Sequence, residues 1–391
     1  MVFSAGPRVD DTPGGFSEAI FSVLERSSRP EAGKVRALIE DWFARFPPHS
    51  QPELRERLRS TDDTQLASAF FELYVHQVLV ALGYEVTHHP ALPSTTRSPD
   101  FKASLAGSSH IFVEAACAFH ESRAERAAST RAEVVYDQLN RLESPDFWLG
   151  IHVRGAPNSP PRASELRNRV SRWLSQLDWE PLRKEHDAGR SSEMPRLEYD
   201  HDGWFLTIQA LPKPPQLRGR PQVRPIGARS SAFWGSSARD AIRRTVSYKS
   251  EAYGQLDAPY VVAVNSYGIH TDDEDVLEAL FGTLQVHIPA DRGQAAPSTT
   301  LAPDGAWRGP SGPRNVGTSA VLIVNTLSPW NVATRDMILY VNPWAKRQVT
   351  PPMSELERTE IREGEITRLQ GTHVKSLLSL PAGWPEDDAA A

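Results

Sequence analysis

Three of the four carboxylates in one strongly patterned stretch, FELYVHQVLVALGYEVTHHPALPSTTRSPDFKASLAGSSHIFVEAACA, residues 71–118, stand where they could do chemistry together: Glu72, Asp100 and Glu114. Glu72 lies on an apolar helical pattern, Asp100 opens an extended run, and Glu114 sits inside a second one. Glu114 is the hardest to read as a surface residue. Ile111, Phe112, Val113, Ala115, Ala116 and Cys117 surround it, and an unpaired carboxylate buried among them would be costly. Ala106-Gly107-Ser108-Ser109 reads as a tight connection, so the runs on either side should form an antiparallel hairpin. In that hairpin Asp100 and Glu114 are near neighbours with the same side-chain parity. Two dry carboxylates that close repel each other strongly unless a cation lies between them. A hard divalent ion with oxygen ligands, Mg2+ or Mn2+, is the natural occupant.

The elements that must position these groups are legible around them. The segment Thr64–Leu82 is the strongest helix, with Asp62 and Asp63 at its start and Gly83 suited to its C-terminal cap. It is apolar around most of its circumference, which predicts a helix packed in a core. On the same helix, Glu72 also aligns with Gln65, Ser68 and His76, and a solvated face is the competing reading of that stripe. Strand-like runs follow at Tyr84–His88, Asp100–Leu105 and His110–Cys117, then a helix over Glu121–Leu142 and a strand over Phe147–Val153. The order is helix, three strands, helix, strand, an α/β pattern.

This arrangement, with Pro99-Asp100 on one strand and Val113-Glu114 on the next, resembles the PD-(D/E)XK nuclease superfamily. The resemblance covers residues 72–153 and rests on a short motif. It implies a restriction-endonuclease-like mixed sheet core flanked by helices. It also implies that Asp100 and Glu114 hold Mg2+ or Mn2+, with Glu72 contributing from the helix, and that the ion activates water to attack a phosphodiester. The family's lysine belongs two residues after the second acid, where this chain carries Ala116. Lys102 is the expected substitute in the catalytic set with Asp100 and Glu114, although it runs away from Ala116 along the hairpin. Lys249 is a second substitute if its helix docks nearby, and Arg97, His120 and Gln138 are weaker ones.

A helix is expected at Ala238–Tyr253, with strands at Trp204–Leu211, Tyr260–Asn265, Ser319–Thr326 and Met337–Val341. The expected organisation is a helical lead over 1–60, a nuclease-like core over 61–155, and a mixed α/β region over 156–380 whose strands are candidates to continue the same sheet. Residues 178–200 read as irregular.

Charge is distributed unevenly. The 391-residue chain has 43 Lys+Arg against 49 Asp+Glu, a net −6 that excludes a binder basic throughout. Residues 211–250 nevertheless hold nine cations against Asp240 alone, a local +8. Part of an excess of proline, 32 residues in all, holds that stretch extended. Arg218, Arg220, Arg224, Arg229, Arg243, Arg244 and Lys249 are its candidate nucleic-acid contacts, with a solvated basic loop as the competing reading. The single cysteine, Cys117, excludes a disulfide framework and a Cys-rich zinc site, and reads as a core thiol. No apolar run reaches a membrane span, and the N-terminus does not read as a signal peptide, so a cytoplasmic protein is expected.

These readings converge on a divalent-metal-dependent nuclease acting on DNA or RNA, with defence against foreign nucleic acid as the role such nucleases often have. A homodimer is left open. The missing lysine favours an alternative, a catalytically inactive nuclease-fold module that binds nucleic acid or a protein partner. A carboxylate-pair glycosidase fits less well, because its acids stand further apart across an open cleft.

Overall fold

The computed structural model describes the chain apart from residues 94, 108, 221–223, 233–237, 268–270, 288–297, 363–364 and 387–391; for 123, 228–232, 286–287 and 298–299 it describes the backbone alone. Its contacts divide the chain into two compact units. One comprises Met1–Pro13, Ala19–His120 and Ser236–Ala391, and the other Gly14–Glu18 and Glu121–Gly235.

The first unit is built on an eight-stranded mixed sheet. Its order is Glu85–His88, Phe101–Ser104, His110–Phe119, Tyr260–Tyr267, Ala320–Asn325, Ile338–Val341, Arg358–Arg362 and Glu365–Leu369. The first three strands are antiparallel, with Phe101 opposite Val113 and Ala103 opposite Ile111. The His110–Phe119 strand then runs parallel to Tyr260–Tyr267, and that strand parallel to Ala320–Asn325. The first five residues of Tyr260–Tyr267, Tyr260–Val264, read as a continuous apolar run because both faces of the strand are covered. Val261 and Ala263 join one core with Trp42, Phe70 and Tyr74, while Val262 and Val264 join another with Ile242, Val246 and Phe281.

The Asp63–Ala81 helix starts where expected: the Asp62 side chain accepts from the Thr64 N–H at 2.9 Å. Gly83 follows its end at φ 87°, a left-handed conformation suited to glycine. Its apolar circumference is buried, and Glu72 and His76 are buried with it, so the solvated-face reading of their stripe does not hold. The Ala238–Ser250 helix is amphipathic in a simpler way. Ala241, Ile242 and Val246 pack inward at helical spacing, leaving Arg244 and Tyr248 exposed.

The second unit is a four-stranded sheet in the order Arg196–His201, Trp204–Pro212, Phe147–Arg154 and Ile226–Ala232. The Arg123–Asn140 and Ala163–Leu174 helices supply Val135, Leu139, Leu166 and Val170 to its core, against Leu149, Ile151, Leu206 and Ile208.

Three expectations change here. The helix over 121–142 and the strand over 147–153 were to complete the carboxylate-bearing sheet, but both lie in the second unit. The Ala238–Ser250 helix and Tyr260–Tyr267 strand stand in that place instead, with Glu121–Gly235 inserted ahead of them. The unit boundaries accordingly differ from 1–60, 61–155 and 156–380. Strand patterning reveals that a segment is extended and which face is apolar, but not which distant strand it pairs with. The late strands do continue the first sheet. Residues 178–200, read as irregular, contain the Trp179–Asp187 helix and the Arg196–His201 strand.

Candidate active site at a fork in the sheet

The site begins where two strands part. Phe101–Ser104 has four residues and His110–Phe119 has ten, so the pairing between them stops at Phe101 opposite Val113. One step further, Asp100 stands opposite Glu114. The Asp100 N–H donates to Glu114 Oε2 at 3.2 Å, and Asp100 Oδ2 accepts from the Ala115 N–H at 2.7 Å. A side-chain carboxylate thus takes over a backbone donor that the shorter strand no longer reaches.

Glu114 is 3% exposed. Its Oε1 accepts from Lys249 Nζ at 2.5 Å and its Oε2 from Tyr253 Oη at 2.5 Å. Burial and the neighbouring Asp100 push the Glu114 carboxyl above its ordinary range, against the opposing pull of Lys249 and Tyr253. Burial works against the charge on Lys249, but the carboxylates of Glu114 and Asp100 outweigh it and push that ammonium up. Tyr253 is pushed up by burial and by the same carboxylates, so its hydroxyl remains a hydrogen-bond donor.

Glu72 lines the same cleft with both oxygens engaged. Oε2 accepts from the Arg57 guanidinium at 2.6 Å, and Oε1 lies 2.9 Å from His88 Nε2. His88 Nδ1 is in turn 2.7 Å from Ser50 Oγ. Burial alone would raise the Glu72 carboxyl, but His88 and Arg57 outweigh it and hold it below its ordinary range. His89, 3.7 Å from Asp100 Oδ1, is pushed up chiefly by that neighbouring carboxylate.

A cleft of about 500 Å³ opens over this arrangement. Glu72 and Asp100 line it with Ala115, Ala116 and Cys117, and the Ala238–Ser250 helix adds Arg244, Thr245, Tyr248 and Lys249. Burial pushes the Cys117 thiol up to about 12, so it is no thiolate at neutral pH and fits the core-thiol reading.

The expected site residues separate into those the fold gathers and those it does not. Asp100, Glu114 and Lys249 meet, and Glu72 borders the same cleft. Lys102 does not join them. It pairs opposite Phe112, pointing along the hairpin away from Ala116, lies outside the cleft lining, and forms no ion pair among the described residues. The reason is strand direction: each step from Asp100 into its strand moves away from the fork.

The basic stretch is divided between the two units. Arg218 pairs with Asp146 and lies over the Trp179 ring at 4.4 Å, while Arg224 donates to the Gly14 carbonyl. Arg220 is exposed, and the Arg229 side chain lies outside the described residues. In the first unit Arg243 donates to the Asp304 carbonyl at 2.9 Å and lies 3.2 Å from Asp240, whereas Arg244 is exposed at the cleft. Most of these cations are held by local oxygens, so the local +8 does not become one open track.

Sequence reasoning missed Tyr253 and Arg57 as neighbours of the carboxylates. The four-residue spacing of Lys249 and Tyr253 was the available signal for the first, and nothing local signals the second. A separate group, Asp336, Glu357 and His373, brings potential metal-ligand atoms within 4.8 Å of one another. Its His373 Nδ1 lies 2.6 Å from Asp336 and 2.9 Å from Glu357, while Lys375 lies 3.8 Å from Asp336 and Arg368 binds Glu357 at 2.9 Å, so a cation of the chain already faces each acid. No helix among the described residues is long and apolar enough to cross a membrane. Compared with known protein families, curated proteins and solved structures, the chain matches none of them.

Proposed function

We propose that the chain is a divalent-metal-dependent phosphodiesterase acting on nucleic acid, with a restriction-endonuclease-like core in its first unit. The observation that carries this reading is the meeting of Asp100 and Glu114 at the strand fork with the Lys249 ammonium 2.5 Å from Glu114. The order of the Asp63–Ala81 helix, three antiparallel strands, the Ala238–Ser250 helix and a parallel strand supports the resemblance once the inserted unit is set aside.

The residues present fit a hard divalent ion. The donor set is carboxylate oxygen, and burial together with Asp100 disfavours the charged form of Glu114, a penalty that a cation between the two would remove. Asp100 and Glu114 would hold Mg2+ or Mn2+, with Glu72 contributing from the helix; the oxygens of Glu72 are engaged by Arg57 and His88 much as those of Glu114 are by Lys249 and Tyr253, so Glu72 also fixes Arg57 at the cleft. A bound ion would polarise the phosphate and lower the pKa of water. Lys249 is raised by its carboxylate neighbours and stays protonated near neutral pH, so it serves as a cationic donor toward developing negative charge rather than as a base. It takes the role that Ala116 cannot.

Incubation of the purified chain with plasmid, single-stranded DNA and RNA, in Mg2+, Mn2+ or EDTA, tests the reading. Cleavage that needs the metal and is lost in Asp100→Ala and Glu114→Ala supports it, and cleavage surviving both substitutions sinks it. Ala116 favours one competitor, a non-catalytic binding module, which would bind salt-sensitively and cleave nothing.

A further inference from the structure

Two residues on the Ala238–Ser250 helix differ from their neighbours. Arg239 and Arg243 are committed to nearby oxygens, at Glu278 (3.6 Å) and Asp240 (3.2 Å), and Lys249 to Glu114. Arg244 is exposed, lines the cleft, and pairs with no carboxylate among the described residues. Tyr248, one turn further on and about 6 Å along the same helix face, lines the cleft too. It is 68% exposed, against 37% for Phe205, the other large exposed aromatic among the described residues.

A lone exposed aromatic needs no explanation. A tyrosine ring and an uncommitted guanidinium bordering the cleft that holds Asp100 are a different matter. The ring offers a flat apolar face, and the guanidinium a planar fork matched to phosphate. A base and its adjoining phosphate present the same two chemistries. In a duplex the base faces are already stacked, so a ring in this position can take only a base that is unpaired or extruded.

We propose that Tyr248 and Arg244 form a binding subsite for an unpaired nucleotide, the ring stacking on the base and the guanidinium holding its phosphate, which makes single-stranded nucleic acid the substrate class. The proposal rests on the nuclease-like reading of the cleft.

Binding of labelled oligothymidine to the full chain in EDTA, followed by fluorescence anisotropy, tests it without any cleavage. An abasic strand of equal length and a duplex are the comparison probes. Tyr248→Ala should weaken oligothymidine binding roughly tenfold and leave abasic binding unchanged, while Tyr248→Phe and Tyr248→Trp retain affinity. Arg244→Ala should weaken both strands and flatten the salt dependence by about 0.7 in the log–log slope, one phosphate's worth. Thermal unfolding of each variant reports whether it is folded. Equal affinity of the wild type for oligothymidine and abasic strand, or tighter binding of duplex that is insensitive to Tyr248→Ala, overturns the proposal. Cleavage that depends on Asp100 but not on Tyr248 overturns this proposal alone. Tyr248-dependent binding without cleavage leaves it standing and rejects the nuclease reading.

Discussion

Lys249 Nζ lies 2.5 Å from Glu114 Oε1, across 135 residues of sequence. The ion pair joins a helix that follows the inserted unit to a strand that precedes it, and it supplies a cation where Ala116 leaves none.

Lys249 rather than Lys102 should therefore govern catalysis. Lys249→Met is expected to lower cleavage by roughly 100-fold or more, while Lys102→Ala leaves the rate within about twofold. Rates measured under saturating Mg2+ decide between them, and the opposite ranking would return the role to Lys102.

Asp100→Asn relieves the repulsion that helps raise Glu114. Without divalent metal the variant should be about 1 kcal/mol more stable than the wild type, a usual exchange of function for stability. Added Mg2+ or Mn2+ should raise the melting temperature of the wild type and not of the variant. Thermal unfolding with and without EDTA measures both, and an undiminished metal response in the variant removes Asp100 from the ligand set.

Tyr253→Phe removes a hydroxyl that donates to the charged form of Glu114 at 2.5 Å. Losing that donor disfavours the carboxylate, so the Glu114 carboxyl rises further. The acidic limb of the pH–rate profile should move to higher pH by about one unit, with the rate at its plateau less affected. An unmoved limb would show that Glu114 does not set it.

Burial, with His88 nearby, pushes His76 down to about 4 from 6.5. The unfolded chain therefore takes up this proton before the folded one does. Stability from His76 is present in full above about pH 6.5 and drains away as pH falls toward about 4. Glu72, held low by His88 and Arg57, adds a further loss on the acid side as it is protonated. His76→Gln should flatten the dependence of the denaturation midpoint on pH across the first window, whatever its effect on absolute stability. An unchanged slope there would mean that other groups carry it.

How far the sequence discloses this site follows from the range of the interactions. The meeting of Asp100 and Glu114 is a local matter: a tight connection and side-chain parity define it, and the observed register agrees. Glu114 declares itself because its neighbours are apolar. The partner strand Tyr260–Tyr267 also reads as buried, but its place beside His110–Phe119 is set by long-range packing that no local pattern encodes. The strand over Phe147–Val153 shows the same limit from the other side: its type is legible and its sheet is not. Lys249 could be named but not located, since its role depends on where an amphipathic helix docks. Net charge misled in a further way. The cations of residues 211–250 look like a track, yet most of those whose side chains are described sit against a carboxylate or carbonyl of their own, with Arg220 and Arg244 left exposed.

The insertion of Glu121–Gly235 between the two halves of the site has a consequence for synthesis. A growing chain makes Asp100 and Glu114 early and Lys249 late, after the whole inserted unit. Until Tyr260–Tyr267 emerges, the His110–Phe119 strand lacks the parallel neighbour that covers its second edge. A nascent chain therefore carries an acidic fork without its lysine and, beside it, an unfinished sheet edge.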